Sequence, residues 1–226
     1  GWVGASLAVA LRQADPGISV ALIDPTPAGA RADGRASAVA AAGRRLLDRL
    51  GVWNELAPHA EPIRDMIVTD SRLSDAVRPV FLTFDGKLDD GEPFAHMVPN
   101  AVMVEALLAR AAALGVEAMM PERVEGFTEG PGATEVRLAS GRSVAARLLV
   151  AADGVRSRLR ARAGIRTLTW DYGQSGIVVT VAHARPHHGR AEEHFLPSGP
   201  FAILPLADDA EGRHRSSLVW TERTTT

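Results

Sequence analysis

Two glycines spaced three residues apart, Gly1 and Gly4, open the chain and restrict its fold more than any later feature. They begin a run of small and apolar residues that predicts a helix over residues 2–14, packed closely on a sheet. Asp15-Pro16-Gly17 ends this helix, and the mostly apolar residues 18–23 are typical of a buried parallel strand. The opening therefore predicts the later part of a βαβ unit in an α/β fold.

Asp24 directly follows that strand and lies 20 residues after Gly4. In dinucleotide-binding βαβ units a carboxylate at this position accepts hydrogen bonds from ribose hydroxyls, because two adjacent donors suit a bidentate acceptor. The alternative is an aspartate that only starts a turn before Pro25. A glycine pair alone is a weak motif, but its combination with an acid at this distance favours the nucleotide-binding interpretation.

The composition is that of an ordinary globular protein, with 226 residues, 46% hydrophobic, 23% charged and a formal net charge of −2. Acidic residues balance the arginines, so we expect no nucleic-acid partner. The absence of cysteine excludes thiolate metal sites and a cysteine nucleophile. No apolar run approaches the roughly 20 residues that span a bilayer. We expect a cytoplasmic protein, with peripheral association at the inner face of the membrane left open.

The rest of the chain divides into a mixed part and a strand-rich part. Two β-like runs, 66–69 and 80–84, are separated by no helix, so we expect them outside the parallel sheet. A small antiparallel meander is predicted between residues 123 and 146, followed by a buried parallel strand over 148–152. Strands dominate beyond Gly164, which predicts a mostly antiparallel β-domain.

Several separated elements together resemble the flavin-dependent aromatic hydroxylases, the class A monooxygenases. The elements are the opening glycines, Asp24, the Asp33-x-Arg35 element and the block 148–160. That block matches the family's second fingerprint, an Asp-Gly pair followed by serine and a basic residue. Within the family the chain is most similar to the ubiquinone-biosynthesis hydroxylases, through the stretches Arg35-Ala36-Ser37-Ala38, Leu50-Gly51-Val52-Trp53 and 193–200.

The resemblance implies a Rossmann-like FAD-binding domain with an interleaved, mostly antiparallel β-domain that faces the substrate. The FAD-binding domain would comprise residues 1–70 and 97–164. The β-rich substrate domain would comprise residues 71–96 and 165–226, and both domains would be incomplete.

The resemblance also implies which residues contact FAD. Gly1 and Gly4 would lie against the pyrophosphate, and Asp24 would bind the adenosine ribose. Arg35 would contact the cofactor as well. An arginine near a helix start is disfavoured by the helix dipole, which makes an anionic partner for Arg35 more attractive.

A second group of implied FAD contacts lies further along the chain. Asn100 would contact the cofactor, and the backbone of Val124 would lie near the adenine. Asp153 and Gly154 would lie near the pyrophosphate, where NAD(P)H approaches. The sequence identifies no side chain as the catalytic base, so the catalytic residues stay unassigned.

The activity that the resemblance implies is hydroxylation of an aromatic ring with FAD as cofactor and NAD(P)H and O2 as co-substrates. Reduced flavin would form a C4a-hydroperoxide that transfers oxygen to a small, lipid-soluble phenol such as a polyprenyl ubiquinone precursor. The membrane surface and a complex of ubiquinone-pathway enzymes are further expected partners. Two alternatives stay open: another FAD-dependent oxidoreductase of the same fold, or an inactive fragment that does not hold FAD.

The chain departs from the family pattern at both ends and at one internal position. The first strand and first glycine of the fingerprint would precede Gly1, and the family's third fingerprint would follow Thr226, so we expect a piece of a longer enzyme. His194 stands where the ubiquinone-biosynthesis hydroxylases are expected to carry arginine.

A metal site built from histidines is the main competing interpretation of the second half. The candidates are His183, His187, His188 and His194. Their spacing fits no helical metal-binding motif and no cysteine is present, so we expect no metal. The alternating arginines between 156 and 162 would spread around a helix, which indicates a solvated surface rather than a nucleic-acid site.

Overall fold

The computed structural model describes residues 1–27, 29–30, 34–72, 74–88 and 91–224, so Asp33 of the Asp33-x-Arg35 element lies outside the described residues. The chain divides into two compact units. Unit 1 comprises Gly1–Arg31 and Val104–Thr169, and unit 2 comprises Ala32–Met103 and Trp170–Thr226.

The helices and strands follow one another in a mixed order. The helices are α1 (Trp2–Ala14), α2 (Ala41–Arg49), α3 (Trp53–Leu56), α4 (Asn100–Ala113) and α5 (Arg158–Arg162). The strands are β1 (Ala21–Ile23), β2 (Ala36–Ala40), β3 (Glu61–Pro62), β4 (Asp65–Asp70), β5 (Val80–Phe84), β6 (Ala95–Pro99), β7 (Glu117–Met119), β8 (Val124–Gly130), β9 (Ala133–Leu138), β10 (Ser143–Ala146), β11 (Gln174–His183), β12 (Arg190–Leu196), β13 (Gly199–Leu206) and β14 (His214–Arg223).

Unit 1 begins with α1, as its run of small residues predicts. The helix ends at Ala14 because Asp15 is extended and Pro16 follows. Arg12 then ties the helix to its surroundings, since its guanidinium donates to the carbonyl oxygens of Leu114 at 2.8 Å and Ile18 at 2.6 Å. These bonds hold the helix against the connections that enter β1 and β7.

Two small sheets complete unit 1. Strands β1 and β7 pair in parallel, with Ala21 opposite Glu117 and Ile23 opposite Met119. Strands β8, β9 and β10 form the predicted antiparallel meander. Met119 packs in one apolar cluster with residues of β9, so the end of β7 is buried against the meander.

The prediction of a parallel strand over residues 148–152 was wrong. Among the described residues no strand is assigned there, and the side chains of Leu148 and Val150 are 74% and 48% exposed. An apolar run forms a strand only when a neighbouring strand accepts its backbone hydrogen bonds, and composition cannot supply that neighbour. The strand predicted over 18–23 is likewise shorter, because only Ala21–Ile23 pairs with β7.

Unit 2 contains two sheets. The smaller sheet has the order β2-β6-β3, and the larger has the order β11-β14-β13-β12-β4-β5. Neighbouring strands are antiparallel except β12 and β4, which pair in parallel from Arg190 opposite Asp65 to Phe195 opposite Asp70. The runs 66–69 and 80–84 thus lie outside the parallel pair of β1 and β7, as predicted, and they form one antiparallel pair in the large sheet.

The two faces of the large sheet have different surroundings. Ala191 on β12 and its neighbours Met66 and Leu204 pack in one cluster with Ala95 and Met97 of the small sheet. We call this side the inner face. Because side chains alternate along a strand, residues two positions away on each strand also point to the inner face.

The fold class predicted from the sequence is confirmed, since the chain combines a parallel α/β opening with mostly antiparallel sheets. The compact units divide the chain differently from the predicted domains, because β2, β3 and β4 belong to unit 2 rather than to the part that contains α1. The predicted domains are defined by cofactor and substrate, and they stay a prediction.

Candidate functional site

The N-terminus of α1 carries the first two candidate residues. Gly1 is the N-cap residue, and its carbonyl oxygen accepts the N–H of Ala5 at 3.2 Å. Within the described residues, no side chain caps this end and no acidic residue lies in the first turn. The free N–H groups and the positive end of the helix dipole therefore suit an anion such as a pyrophosphate.

Gly4 brings α1 close to its neighbours. A Cβ atom at this buried position would lie 3.3 Å from the Cβ of Ala152 and 3.4 Å from Cδ1 of Leu22. The glycine therefore allows the helix to contact both β1 and the segment that leads to Asp153. This is the close helix–sheet approach for which a dinucleotide-binding unit uses glycine.

Asp24 lies at the end of β1, where the predicted ribose acceptor belongs. Its backbone N–H donates to the carbonyl of Met119 at 3.3 Å, which continues the pairing with β7. Its carboxylate accepts the N–H of Thr26 at 2.9 Å and contacts the amino group of Gly1. The structure thus brings Gly1 and Asp24 together, although 23 positions separate them.

Burial and hydrogen bonding act in opposite directions on the Asp24 carboxyl. Partial burial alone would raise its pKa, but hydrogen bonds, among them the one from the Thr26 N–H, outweigh burial and lower the pKa below the usual value. The group is therefore an anion at neutral pH. An ionised carboxylate is a pure acceptor, as ribose hydroxyl donors require.

Arg35 and Asn100 are neighbours in unit 2. The N–H of Asn100 donates to the carbonyl oxygen of Arg35 at 2.9 Å, so the start of α4 is held beside the start of β2. Ser37 donates from its hydroxyl to Oδ1 of Asn100 at 2.7 Å. Ser37 is not among the residues predicted to contact FAD, although it lies within the matched stretch Arg35-Ala36-Ser37-Ala38.

Asp153 binds the first turn of α5, whose N-cap residue is Ser157. Its carboxylate accepts the hydroxyl of Ser157 at 2.5 Å and the N–H groups of Arg158 at 2.9 Å and Leu159 at 3.3 Å, at the start of α5. Burial would raise its pKa, but these hydrogen bonds lower it below the usual value. Gly154 has a φ of 84°, which turns the chain between the acid and the helix.

Val124 begins β8 and lies half-buried against the cluster that contains Met119. Its register partner is Leu138, and the ladder is irregular between Val124 and Gly126. Six candidate residues, Gly1, Gly4, Asp24, Val124, Asp153 and Gly154, thus lie in unit 1, whereas Arg35 and Asn100 lie in unit 2.

Three histidines lie together in unit 2. The rings of His183, His187 and His214 have centroids 6.0 to 6.4 Å apart, and Nδ1 of His214 contacts Asp208 at 3.0 Å. His194 lies apart from them, buried on β12 with Nδ1 at 2.5 Å from the hydroxyl of Thr69. In the described part of the chain, no three His, Asp or Glu side chains are placed to hold a metal ion.

A helix that begins beside a parallel strand, close-packed through glycine and with a carboxylate at the strand end, defines a dinucleotide-binding α/β protein. The residues of unit 1 fit FAD because they offer a free helix N-terminus and an ionised acceptor. The chain belongs to the FAD binding domain family, whose sequence model matches residues 1–224.

Curated relatives confirm the resemblance to ubiquinone-biosynthesis hydroxylases. Ubiquinone hydroxylase UbiL of Rhodospirillum rubrum is 42% identical over 228 residues, which cover 99% of this chain and 50% of the relative. The 3-demethoxyubiquinol 3-hydroxylase of Escherichia coli is 32% identical over 227 residues, covering 97% of this chain and 55% of the relative. The chain therefore spans about half the length of these relatives.

Solved structures share the fold. Pseudomonas aeruginosa PqsL in complex with 2-aminobenzoylacetate has a TM-score of 0.80 at 22% identity, and the match covers 99% of this chain and 59% of PqsL. The tetrameric form of 2-methyl-3-hydroxypyridine-5-carboxylic acid oxygenase has a TM-score of 0.71, also at 22% identity, with 97% and 56% covered. At these identities the similarity shows the fold alone.

Proposed function

We propose that this chain is part of an FAD-dependent monooxygenase that hydroxylates the ring of an aromatic ubiquinone precursor. The similarity to UbiL over 99% of the chain carries the proposal. The geometry supports it, because Gly1, Gly4 and Asp24 lie where a dinucleotide-binding unit needs its helix N-terminus and its ribose acceptor.

Each candidate residue has a role in binding FAD under this proposal. The N-terminus of α1 at Gly1 and Gly4 binds the pyrophosphate, and the Asp24 carboxylate accepts the ribose hydroxyls. Arg35 and Asn100 are proposed cofactor contacts as well, as the family resemblance implies. FAD, when bound, supplies the redox chemistry that activates O2 for transfer of one oxygen atom to the ring.

Two further residues of unit 1 would border the same cofactor. The backbone of Val124 lies near the adenine in this proposal. Asp153 and Gly154 lie near the pyrophosphate, and the capping bonds of Asp153 hold that turn in place for the approach of NAD(P)H.

The proposed co-substrates are NAD(P)H and O2, and the proposed substrate is a small, lipid-soluble phenol. Such a substrate favours peripheral association at the inner face of the membrane, or a complex with enzymes of the ubiquinone pathway. Within the described residues, none of the helices combines the length and apolar character that a membrane span requires.

Absorbance of the purified chain in the flavin bands, before and after addition of FAD, tests the proposal first. Retained FAD, together with NAD(P)H oxidation that a polyprenyl phenol stimulates, is the expected result. A colourless protein that ignores added FAD would identify a fragment that does not hold the cofactor. Retained FAD without stimulation by any phenol would indicate a different FAD-dependent oxidoreductase.

Asp24→Asn tests the ribose contact. Replacing an ionised acceptor by a neutral amide removes a charged hydrogen bond worth about 1.5–3 kcal/mol, so we expect FAD binding to weaken roughly 10- to 100-fold. Asp15→Asn is the control, because it makes the same charge change in the turn at the other end of α1. Equal FAD affinities of the two variants, measured by flavin fluorescence, would contradict the assignment of Asp24.

A further inference from the structure

Glu193 lies in the middle of the large sheet of unit 2. On β12 it pairs with Ala202 of β13 and with Val68 of β4, and both neighbours are buried. It is two positions from Ala191, so its side chain points to the inner face. Its neighbour Glu192 is exposed and points to the opposite face.

The inner face around Glu193 is apolar and partly open. The cross-strand row continues beyond Val68 and Ala202 to Leu82 on β5 and Val178 on β11, which are 44% and 42% exposed. Phe195, two positions after Glu193 on the same face, is 46% exposed. One carboxylate therefore lies within an apolar face that is buried beside it at Val68 and Ala202 and exposed at Phe195.

The same face is connected to a predicted FAD contact. The hydroxyl of Thr180, on the inner face of β11, donates to the carbonyl oxygen of Gly34 at 3.4 Å. Gly34 directly precedes Arg35, so the segment with the predicted FAD contact lies against the inner face. A ring bound on this face would lie on the same side of the large sheet as the segment that carries Arg35.

The Glu193 carboxylate has, among the described residues, none of the contacts that an acid with a purely structural role would make. With the residues that the structure describes, its carboxylate forms no hydrogen bond or ion pair. Burial raises its pKa, and no charged group contributes to that shift. The ionisable groups on the surrounding strands are Arg190, Glu192 and His194 on β12, Asp65 and Asp70 on β4, His96 on β6 and Glu61 on β3, while β13 carries none. Arg190 is paired with Asp65 at 2.8 Å. A half-buried acid without a partner is costly to the fold and is typical of a site that handles protons.

We propose that Glu193 is the base that accepts the proton of the substrate's phenolic hydroxyl while the ring lies on the inner face. The phenol O–H bond breaks, the proton bonds to a carboxylate oxygen of Glu193, and the electron pair stays on the phenol oxygen. The ring carbons become more nucleophilic as a result. This inference rests on the proposed function, because only a phenol-type substrate offers such a proton.

The experiment titrates para-nitrophenol, whose phenolate absorbs in the visible range, in the presence of the wild-type chain, Glu193→Gln and Glu192→Gln. In the wild type we expect bound para-nitrophenol to ionise at a higher pH than the free compound, because the nearby carboxylate opposes a second negative charge. Glu193→Gln should remove that shift, and Glu192→Gln should retain it. Circular dichroism checks that all three proteins are folded.

The same upward shift in Glu193→Gln and in the wild type would overturn the inference, as would a folded wild type that binds no para-nitrophenol. FAD binding is measured on the same samples. A wild type that binds no FAD would contradict the proposed function. The para-nitrophenol titration reports whether the Glu193 carboxylate lies beside the phenol oxygen, and the turnover of Glu193→Gln reports whether that carboxylate acts as the base. Where phenol-dependent turnover is measurable, Glu193→Gln should lower kcat roughly 100-fold and leave KM nearly unchanged.

Discussion

Replacing Gly4 with alanine tests whether the close packing of α1 positions the cofactor-binding end of the helix. The added methyl group would lie 3.3 Å from the Cβ of Ala152 and 3.4 Å from Cδ1 of Leu22. The Leu22 methyl can turn away, but the Cβ of Ala152 is attached directly to the backbone. Either α1 or the segment before Asp153 must therefore move by a few tenths of an ångström.

Two opposing contributions set the size of the effect. Alanine is better than glycine inside a helix by about 1 kcal/mol. Overpacking a closely packed contact costs about 1–3 kcal/mol. The free energy of unfolding of Gly4→Ala should therefore fall by about 0–2 kcal/mol, and the shifted helix N-terminus should bind FAD more weakly.

Gly43→Ala is the matched control, because Gly43 is also the third residue of its helix, α2. A Cβ there would meet Cγ1 of Val39 at 3.1 Å, a side-chain methyl that rotation about χ1 can move aside. We expect Gly43→Ala to be neutral or to gain up to about 1 kcal/mol. Urea unfolding followed by circular dichroism, with FAD titration of both variants, makes the comparison. If Gly4→Ala is as stable as Gly43→Ala and binds FAD like the wild type, the close-packing argument is refuted.

Two carboxylates give opposite pH dependences of stability. The pKa of Glu193 is raised in the folded state, so its ionisation destabilises the fold as the pH rises. Glu193→Gln should therefore unfold at a higher urea concentration than the wild type at pH ~7. Below the usual glutamate pKa of about 4.3, the two proteins should differ little. Glu192→Gln should show no such change, and a pH-independent difference for Glu193→Gln would contradict the burial argument. The pKa of Asp153 is lowered, so its contribution to the free energy of unfolding is present above the usual aspartate pKa and is lost as the pH falls. Asp153→Asn should lower the free energy of unfolding by about 1 kcal/mol at neutral pH through weaker capping of α5, and by progressively less in acid. Urea midpoints across this pH range measure both effects, and an Asp153→Asn penalty that persists in acid would exclude the capping carboxylate as its cause.

The sequence predicts best where structure depends on local residues. The helix over residues 2–14 and the break at Asp15 follow from composition and a proline, and both lie where predicted. After the turn at Asp15, β1 runs back along α1, and Asp24 at the end of β1 therefore lies beside the N-terminus of α1. The run 148–152 failed for the opposite reason, because a strand requires hydrogen bonds from a neighbour that the run itself does not encode.

Contacts between segments that are far apart in the chain could not be predicted from the sequence pattern. Arg35 and Asn100 were expected near FAD only through the family resemblance, and their direct hydrogen bond results from the pairing of β2 with β6. The parallel pairing of β12 with β4 was not predicted either, although it sets which residues border Glu193. Alternation along residues 190–196 separates Glu192 from Glu193, but it does not tell which face is covered.

Asp153 and Glu193 show why the location of an acid decides its use. Asp153 satisfies both carboxylate oxygens with a hydroxyl and backbone N–H groups, so its charge stabilises a helix start and its basicity falls. Glu193 has apolar neighbours and no such donors, so its charge is costly and its basicity rises. A base is more effective the closer its pKa lies to the working pH, and a bound phenol can supply the hydrogen bond that the fold withholds. The acid that destabilises the sheet is therefore the one suited to take a proton there.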